Sequence, residues 1–156
     1  MITRRFRLDW VLIDELAIGP APVRSHHVDL IGQSGIKAVM SLCSDSEIKL
    51  HPSLSQFMHR RCVLPDHKSG RPPKVEELES ALKTLSELMS FGPVFVHCVA
   101  AMERSPLLCS AWLVNKRGLD TESALQYMMQ IHPGTNPLPS QLALLNSLTT
   151  KKYSSD

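Results

Sequence analysis

The sequence has few of the features that mark a membrane, secreted or nucleic-acid-binding protein. Its 156 residues carry a formal charge of only +2, which is too small to predict nucleic acid as a partner. Asp9 and Asp14 interrupt the basic start of the chain, so it has no apolar signal-peptide core, and no apolar run reaches membrane-spanning length. We therefore expect a soluble, cytoplasmic protein that binds no nucleic acid and inserts into no membrane.

The chain also lacks repeats, low-complexity tracts and any linker long enough to separate domains. Its length suits one compact domain, residues 1–156, which buries enough surface to fold without a disulfide, metal or cofactor. Hydrophobic residues make up 43% and charged residues 21%, which is ordinary for a globular protein. We expect a monomer with no cofactor.

Cysteine is scarce, and none of the four forms a CxxC pair: Cys43, Cys62, Cys98 and Cys109. Most are expected to be buried free thiols. A metal site could be imagined from His59, Cys62, His67 and Cys98, but their spacing matches no zinc motif, so we expect no metal.

Strand-like and helix-like segments alternate along the chain. Short apolar runs predict strands at residues 16–19, 36–42, 61–64 and 94–97. Amphipathic spacing with helix-start and helix-stop residues predicts helices at 27–34, 74–90, 105–116, 121–130 and 140–148. This order predicts an α/β fold, in which helices flank a central, mainly parallel sheet.

Residues 94–106, VFVHCVAAMERSP, form a strand, a short loop and a helix start. Free amides of such a loop and helix point at one spot, and the helix dipole adds positive potential, so the segment predicts a phosphate site. Arg104 can add a two-pronged contact to phosphate oxygens. The other substrate-binding residues are then those of the loop: Val99, Ala100, Ala101, Met102 and Glu103.

The same positive field stabilises a thiolate, which makes Cys98 the predicted nucleophile. Ser105 can offer its hydroxyl to the thiolate and later to the departing sulfur. A chance match to this His-Cys-Arg-Ser spacing has a probability of about one in a thousand for four cysteines. The alternative is a buried, inert Cys98 beside a surface Arg104.

HCVAAMERSP resembles the H-C-x5-R-[ST] signature of the protein tyrosine phosphatase superfamily, and the chain's size resembles the small dual-specificity phosphatases. Residues 10–22 resemble the family's opening hairpin, GIKAVMSL the strand after its first helix, and residues 136–145 its closing helix. The resemblance covers nearly the whole chain. It implies a dual-specificity-phosphatase-like fold whose phosphate loop lies at the C-terminal edge of the strands.

One loop position departs from the family pattern. The family usually has glycine three residues after the cysteine, where this chain has Ala101. Alanine there predicts either a φ nearer the ordinary range or a strain of about 1 kcal/mol.

The resemblance also implies a general acid and a loop support. Asp66, in LPDHKSGRPP, matches the position of the family's mobile acid loop, and protonating the leaving group can contribute about 10²–10⁴-fold. A plain turn at Asp66, the rival acid His67 and the less favoured Asp45 are the alternatives. The equivalent of His97 is buried in relatives and hydrogen-bonded to the loop, and a plain core histidine is the alternative.

Cys43 is a possible redox partner of Cys98, because each follows the C-terminal end of a predicted strand. VMSLCSDSE also resembles the segment that carries the resolving cysteine in the tensin-like lipid phosphatase. A chance neighbourhood of buried thiols is the alternative.

The predicted function is hydrolysis of phosphotyrosine or phosphoserine/threonine in proteins. The loop carries no base between Cys98 and Arg104, unlike relatives that cleave polyphosphoinositides. The acid loop is basic through His67, Lys68, Arg71 and Lys74, which form either a rim for acidic substrates or a solvated face. The alternatives are a weakly catalytic phosphopeptide-binding module, a phosphatase of a non-protein ester and a rhodanese-like sulfurtransferase.

Overall fold

The computed structural model describes residues 5–136 and 139–154, and five strands in this part of the chain form one sheet. The strands are β1 Asp9–Leu12, β2 Leu16–Gly19, β3 Ala38–Ser41, β4 Met58–Arg61 and β5 Val94–His97. Their order in the sheet is β1-β2-β5-β3-β4. Strand β1 pairs antiparallel with β2, whereas β2, β5, β3 and β4 are parallel neighbours, so the predicted mainly parallel sheet is confirmed.

Side chains of the central strands alternate between two apolar layers, as the two-residue period of a strand requires. In β5, Val94 and Val96 pack into the larger core, whereas Phe95 faces a smaller one. Burying both faces of β2, β3 and β5 explains why these strands are continuous apolar runs in the sequence.

Helices cover both faces of the sheet, as the family resemblance implies. The helices are α1 Ser25–Gln33, α2 Val75–Met89, α3 Arg104–Arg117, α4 Thr121–Ile131 and α5 Pro139–Ser154. The smaller core lies beneath α1 and a short 3₁₀ turn at Pro52–Gln56, and the larger core lies beneath the other helices. Residues 137 and 138 of the predicted closing segment lie outside the described residues, as do residues 1–4 at the basic start.

The fourth strand was placed wrongly by the sequence pattern, which predicted residues 61–64 instead of Met58–Arg61. As an edge strand, β4 leaves Met58 and Arg60 exposed, so it has no apolar run. The chain does continue beside β3, because the N–H groups of Cys62 and Leu64 donate to the carbonyls of Ser41 and Leu42. It then turns away into the loop that carries Asp66.

Glycine is required where β2 ends beside the site. A Cβ on Gly19 would lie 2.7 Å from the carbonyl oxygen of Arg7 and 2.8 Å from the ring of Phe95. Gly19 therefore lets the N-terminal segment cross closely over the end of the sheet. None of the helices in the described part of the chain has the length and apolar character that a membrane span needs.

Candidate active site

The loop between β5 and α3 forms the floor of a pocket of about 1000 Å³. Because β5 lies between two parallel neighbours, the loop that follows its C-terminal end lies at the middle of the sheet edge. Cys98 is only 3% exposed and Arg104 only 4%, yet both line the pocket together with Asp66. The structure therefore brings the predicted nucleophile, phosphate ligand and acid to one cavity.

Four carbonyls of the phosphate-binding loop, residues 98–104, are held by groups outside it. The carbonyls of Cys98 and Ala101 accept from the rings of His97 and His132. Those of Val99 and Met102 accept from the backbone N–H groups of Ala21 and Asn136.

The C=O and N–H of a trans peptide point in opposite directions. Holding these carbonyls outward therefore turns the N–H groups of residues 99, 100, 102 and 103 towards the inside of the loop. Within the described residues, no acceptor takes a hydrogen bond from the backbone N–H groups of residues 99–103. They form a ring of free donors of the kind that binds an oxyanion.

Ala101 has a φ of 60°, in the left-handed region. Of the two sequence-based alternatives, the strained one is correct. An L-residue there has its Cβ close to the following carbonyl oxygen, which costs roughly 1–2 kcal/mol. The loop shape is therefore kept although the usual glycine is missing, and the protein must stabilise it in another way.

Arg104 is the first residue of α3, and an acid that the sequence analysis did not identify holds it in place. Glu47 accepts hydrogen bonds from Nη2 at 2.7 Å and from Nη1 at 3.1 Å. Nη1 also lies 3.2 Å from the carbonyl oxygens of both Leu42 and Leu64. These contacts leave Nε–H and one Nη2 hydrogen without a partner in the described residues, which is a fork suited to two phosphate oxygens.

Glu47 is in turn fixed by the turn that follows β3. Its Oε2 accepts from the backbone N–H of Ser44 at 2.8 Å and from the Ser44 hydroxyl at 3.2 Å. The hydrogen bond from Arg104 lowers the pKa of Glu47 to about 2. The carboxylate therefore stays ionised and holds the guanidinium across the physiological pH range.

His97 supports the loop through a buried chain of hydrogen bonds. Burial lowers its pKa to about 4, so the ring is neutral. Because Nδ1 donates to the Cys98 carbonyl at 2.8 Å, Nε2 must accept the Ser41 hydroxyl proton at 2.6 Å. The Ser41 oxygen then accepts from Nε2 of His59 at 2.7 Å. The plain-core alternative for His97 does not account for this contact with the loop.

Asp66 begins the helical turn His67–Ser69 in the acid loop, residues 65–73. Its Oδ1 accepts from the backbone N–H of Lys68 at 3.0 Å and from the Ser69 hydroxyl at 3.1 Å. Its Oδ2 lies 3.9 Å from Nη2 of Arg104, beyond hydrogen-bond range but beside the phosphate position. One oxygen is thus fixed by the turn, and the other is available to carry a proton.

The two rival acids are engaged elsewhere. His67 Nδ1 lies 2.9 Å from Oε1 of Glu103, and its side chain is 57% exposed. Asp45 pairs with Arg61 at 2.9 Å and is 87% exposed, outside the pocket. The geometry favours Asp66 as the acid.

The basic rim is weaker than its sequence suggests. Arg71 forms a two-pronged pair with Glu77, at 2.7 and 2.9 Å, and His67 is paired with Glu103. Lys68 is the cation lining the pocket for which no acidic partner is seen among the described residues. In that part of the chain, no cluster of three His, Cys, Asp or Glu is arranged to hold a metal ion.

Among the described residues that line the pocket, Cys98 is the one cysteine. Burial raises the pKa of Cys43, Cys62 and Cys109, so all three remain protonated near neutral pH. The parallel pairing of β3 with β5 that the Cys43 prediction required is confirmed, with Ser41 opposite His97. The Ser105 hydroxyl is buried without a partner in the described residues, so it does not cap α3.

One protein-family model matches most of the chain. A family model described as the dual specificity phosphatase catalytic domain matches residues 21–151. This chain belongs to the dual specificity phosphatase family. A comparison with curated protein sequences gives no match.

Three of the matching solved structures have the same fold as this chain. Tk-PTP in its active form is 23% identical with a TM-score of 0.79, and the match covers 92% of this chain and 97% of that one. The human tyrosine phosphatase-like serine/threonine/tyrosine-interacting protein is 17% identical with a TM-score of 0.82, covering 94% and 98%. PTPMT1 in complex with PI(5)P is 18% identical with a TM-score of 0.77, covering 90% and 93%. At these identities the likeness shows the fold alone.

Three contributors to the site were missed by sequence analysis: Glu47, the pairing of Glu103 with His67, and His132 with Asp9. The only available signal was that Glu47 lies just after a strand that ends at the same sheet edge as β5. His132 and Asp9 have no such signal, because 123 residues separate them.

Proposed function

We propose that this dual specificity phosphatase domain hydrolyses phosphomonoesters in phosphorylated proteins through a phosphocysteine intermediate. The Cys98 thiolate attacks phosphorus while the loop amides and Arg104 bind the other oxygens. Oδ2 of Asp66 gives its proton to the leaving oxygen as the ester bond breaks. Water, deprotonated by the same carboxylate, then attacks the phosphocysteine, and Ser105 donates a hydrogen bond to the departing sulfur.

The observation that carries this proposal is the convergence of three groups on one pocket. The ring of free amides, the open edge of Arg104 and Oδ2 of Asp66 all face the space above Cys98. A non-catalytic binding module needs the first two but has no use for an acid with one oxygen kept free.

The walls of the pocket favour a protein substrate. Apolar groups of Val63, Pro65 and Met102 line it, and these suit a phosphorylated side chain. His67 and Arg71 are already paired with acids, so a polyphosphorylated headgroup would meet Lys68 as the one unpaired cation of the described pocket lining besides Arg104. We therefore favour a protein phosphoester over a multiply charged lipid.

A panel of substrates tests this function. Tyrosyl, seryl and threonyl phosphopeptides and phosphoinositides are assayed for phosphate release, with Cys98→Ser as the blank. Phosphopeptides should be hydrolysed faster than phosphoinositides. Cys98→Ser should abolish turnover but still bind vanadate, and EDTA should change nothing. Substantial turnover by Cys98→Ser would exclude the mechanism, and a preference for phosphoinositides would exclude the substrate class.

A weakly catalytic phosphopeptide-binding module is the second candidate, because Ala101 occupies a strained position at φ 60°. This function predicts tight phosphopeptide binding by the wild-type protein with no phosphate release. The same panel distinguishes the two when binding is measured beside hydrolysis.

A further inference from the structure

His132 connects the first strand to the phosphate-binding loop from beneath. It lies directly after α4, and its side chain is 9% exposed. Nδ1 is 2.7 Å from Oδ2 of Asp9, and Nε2 is 2.7 Å from the carbonyl oxygen of Ala101. Both contacts are short, and the second one holds the carbonyl of Ala101, whose φ lies in the left-handed region.

The contact with Ala101 fixes the position of one ring proton. A backbone carbonyl can only accept a hydrogen bond, so Nε2 must be the donor to Ala101. On the other side of the ring, Nδ1 contacts Asp9, which Arg7 holds in turn at 3.0 and 3.1 Å. His132 therefore ties the Ala101 carbonyl to the first strand.

The bond to Ala101 sets the direction of a phosphate-binding amide. The Ala101 carbonyl and the Met102 N–H belong to one trans peptide, so drawing the carbonyl down to His132 turns the N–H into the loop. An alanine at this position would otherwise favour a negative φ, which rotates that peptide. Glycine would need no such restraint.

We propose that His132, with Asp9, is a positioning residue that holds Ala101 in the left-handed conformation needed for phosphate binding, in place of the glycine that this loop usually carries. The inference deepens the proposed function and rests on it for turnover. Its effect on anion binding does not depend on catalysis.

A double-mutant cycle between His132 and Ala101 tests the inference. His132→Ala should weaken vanadate binding and lower kcat/KM by roughly tenfold, the value of one buried hydrogen bond. In the Ala101→Gly background, the same change should cost no more than about threefold, because glycine adopts the conformation unaided. If His132 merely stabilised the fold, Ala101→Gly should not rescue the His132→Ala variant.

The controls separate the possible failures. His26→Ala removes an exposed histidine and should change nothing. Vanadate binding, measured by calorimetry, reports the loop even if the wild-type protein hydrolyses no ester, so loss of the proposed function would be recognised separately. Equal losses in the wild-type and Ala101→Gly backgrounds, or no loss in either, would overturn the proposal.

A measurement on the wild-type protein covers the case in which His132→Ala fails to fold. The ¹⁵N chemical shifts of the His132 ring at neutral pH should show a proton on Nε2, the nitrogen that faces the Ala101 carbonyl. Vanadate should perturb these shifts together with the Met102 amide. A ring without a proton on Nε2 would overturn the proposal whatever the behaviour of the variants.

Discussion

The phosphate-binding loop is enclosed by neighbouring elements, whereas the acid loop lies on the surface. The first is held through four carbonyls, by Ala21, His97, His132 and Asn136, and Cys98 and Arg104 are almost fully buried. In the second, residues 67–72 are all exposed, and the hydrogen bonds seen between the two loops in the described residues are those of His67 with Glu103.

The two loops meet different demands of the proposed reaction. Donors that stabilise an anion are most effective when they are fixed before the ligand arrives, because no energy is then lost in reorienting them. A group that delivers a proton must also let substrate enter and product leave, which suits a loosely attached loop. Damage to the first region should therefore affect all substrates, and damage to the second only those that need a proton.

The largest expected effect is on the acid loop. Asp66→Asn should slow tyrosyl and alkyl phosphates about 10²–10⁴-fold, because their leaving groups need a proton. An aryl phosphate with an acidic leaving group, such as p-nitrophenyl phosphate, should lose much less. Rates across a series of leaving groups measure this, and the basic limb of the pH profile should weaken. Equal losses on every substrate would contradict the assignment.

Removing the support of Arg104 should affect all substrates alike. Glu47→Ala frees the guanidinium and should lower kcat/KM roughly 10- to 100-fold whatever the leaving group, since it misplaces a binding group. Asp45→Ala, on the same turn but outside the pocket, is the matched control. A leaving-group dependence like that of Asp66→Asn would show that Glu47 acts on the acid instead.

The pairing of Glu47 with Arg104 predicts an acid limit of stability. The pKa of Glu47 in the folded state, about 2, lies below the ordinary 4.5. The stabilisation from Glu47 is therefore fully present above pH 4.5 and is lost as the pH falls towards 2. Acid titration of unfolding should show a smaller loss over this window in Glu47→Gln than in the wild type.

A smaller effect is expected from cutting the link between the two loops. Glu103→Ala should release His67 and reduce turnover of tyrosyl phosphate several-fold, about the value of one partly exposed hydrogen bond. Vanadate binding should hardly change. His67→Ala should behave in the same way, and the double variant should be no worse than either single one. Additive losses would show that the two residues act separately.

The smallest effect on basal turnover is expected at Cys43. Peroxide should oxidise the Cys98 thiolate to a sulfenic acid, and the Cys43 thiol should displace water from it to form a disulfide that dithiothreitol reverses. Cys43→Ser should keep its turnover but be inactivated irreversibly. Peptide mapping that finds Cys98 only as sulfinic acid in the wild type would exclude this pairing.

The parts of the site that are contiguous in sequence could be predicted, because strand, loop and helix start lie within residues 94–106. Cys98 and Arg104 follow from that segment, whereas the supporting role of His97 is implied by the family resemblance. Asp66 required the family resemblance, since nothing local separates it from a turn residue. The strand at Met58–Arg61 was missed because an edge strand needs no apolar face.

The sequence alone determined the phosphate loop and the α/β alternation, since both depend on neighbours along the chain. Tertiary structure decided what holds the loop in place. Glu47 meets Arg104 across 57 residues, His67 meets Glu103 across 36, and His132 meets Asp9 across 123. No local pattern encodes these pairs, because parallel strands and their helices bring distant segments to one edge only when the whole sheet has formed.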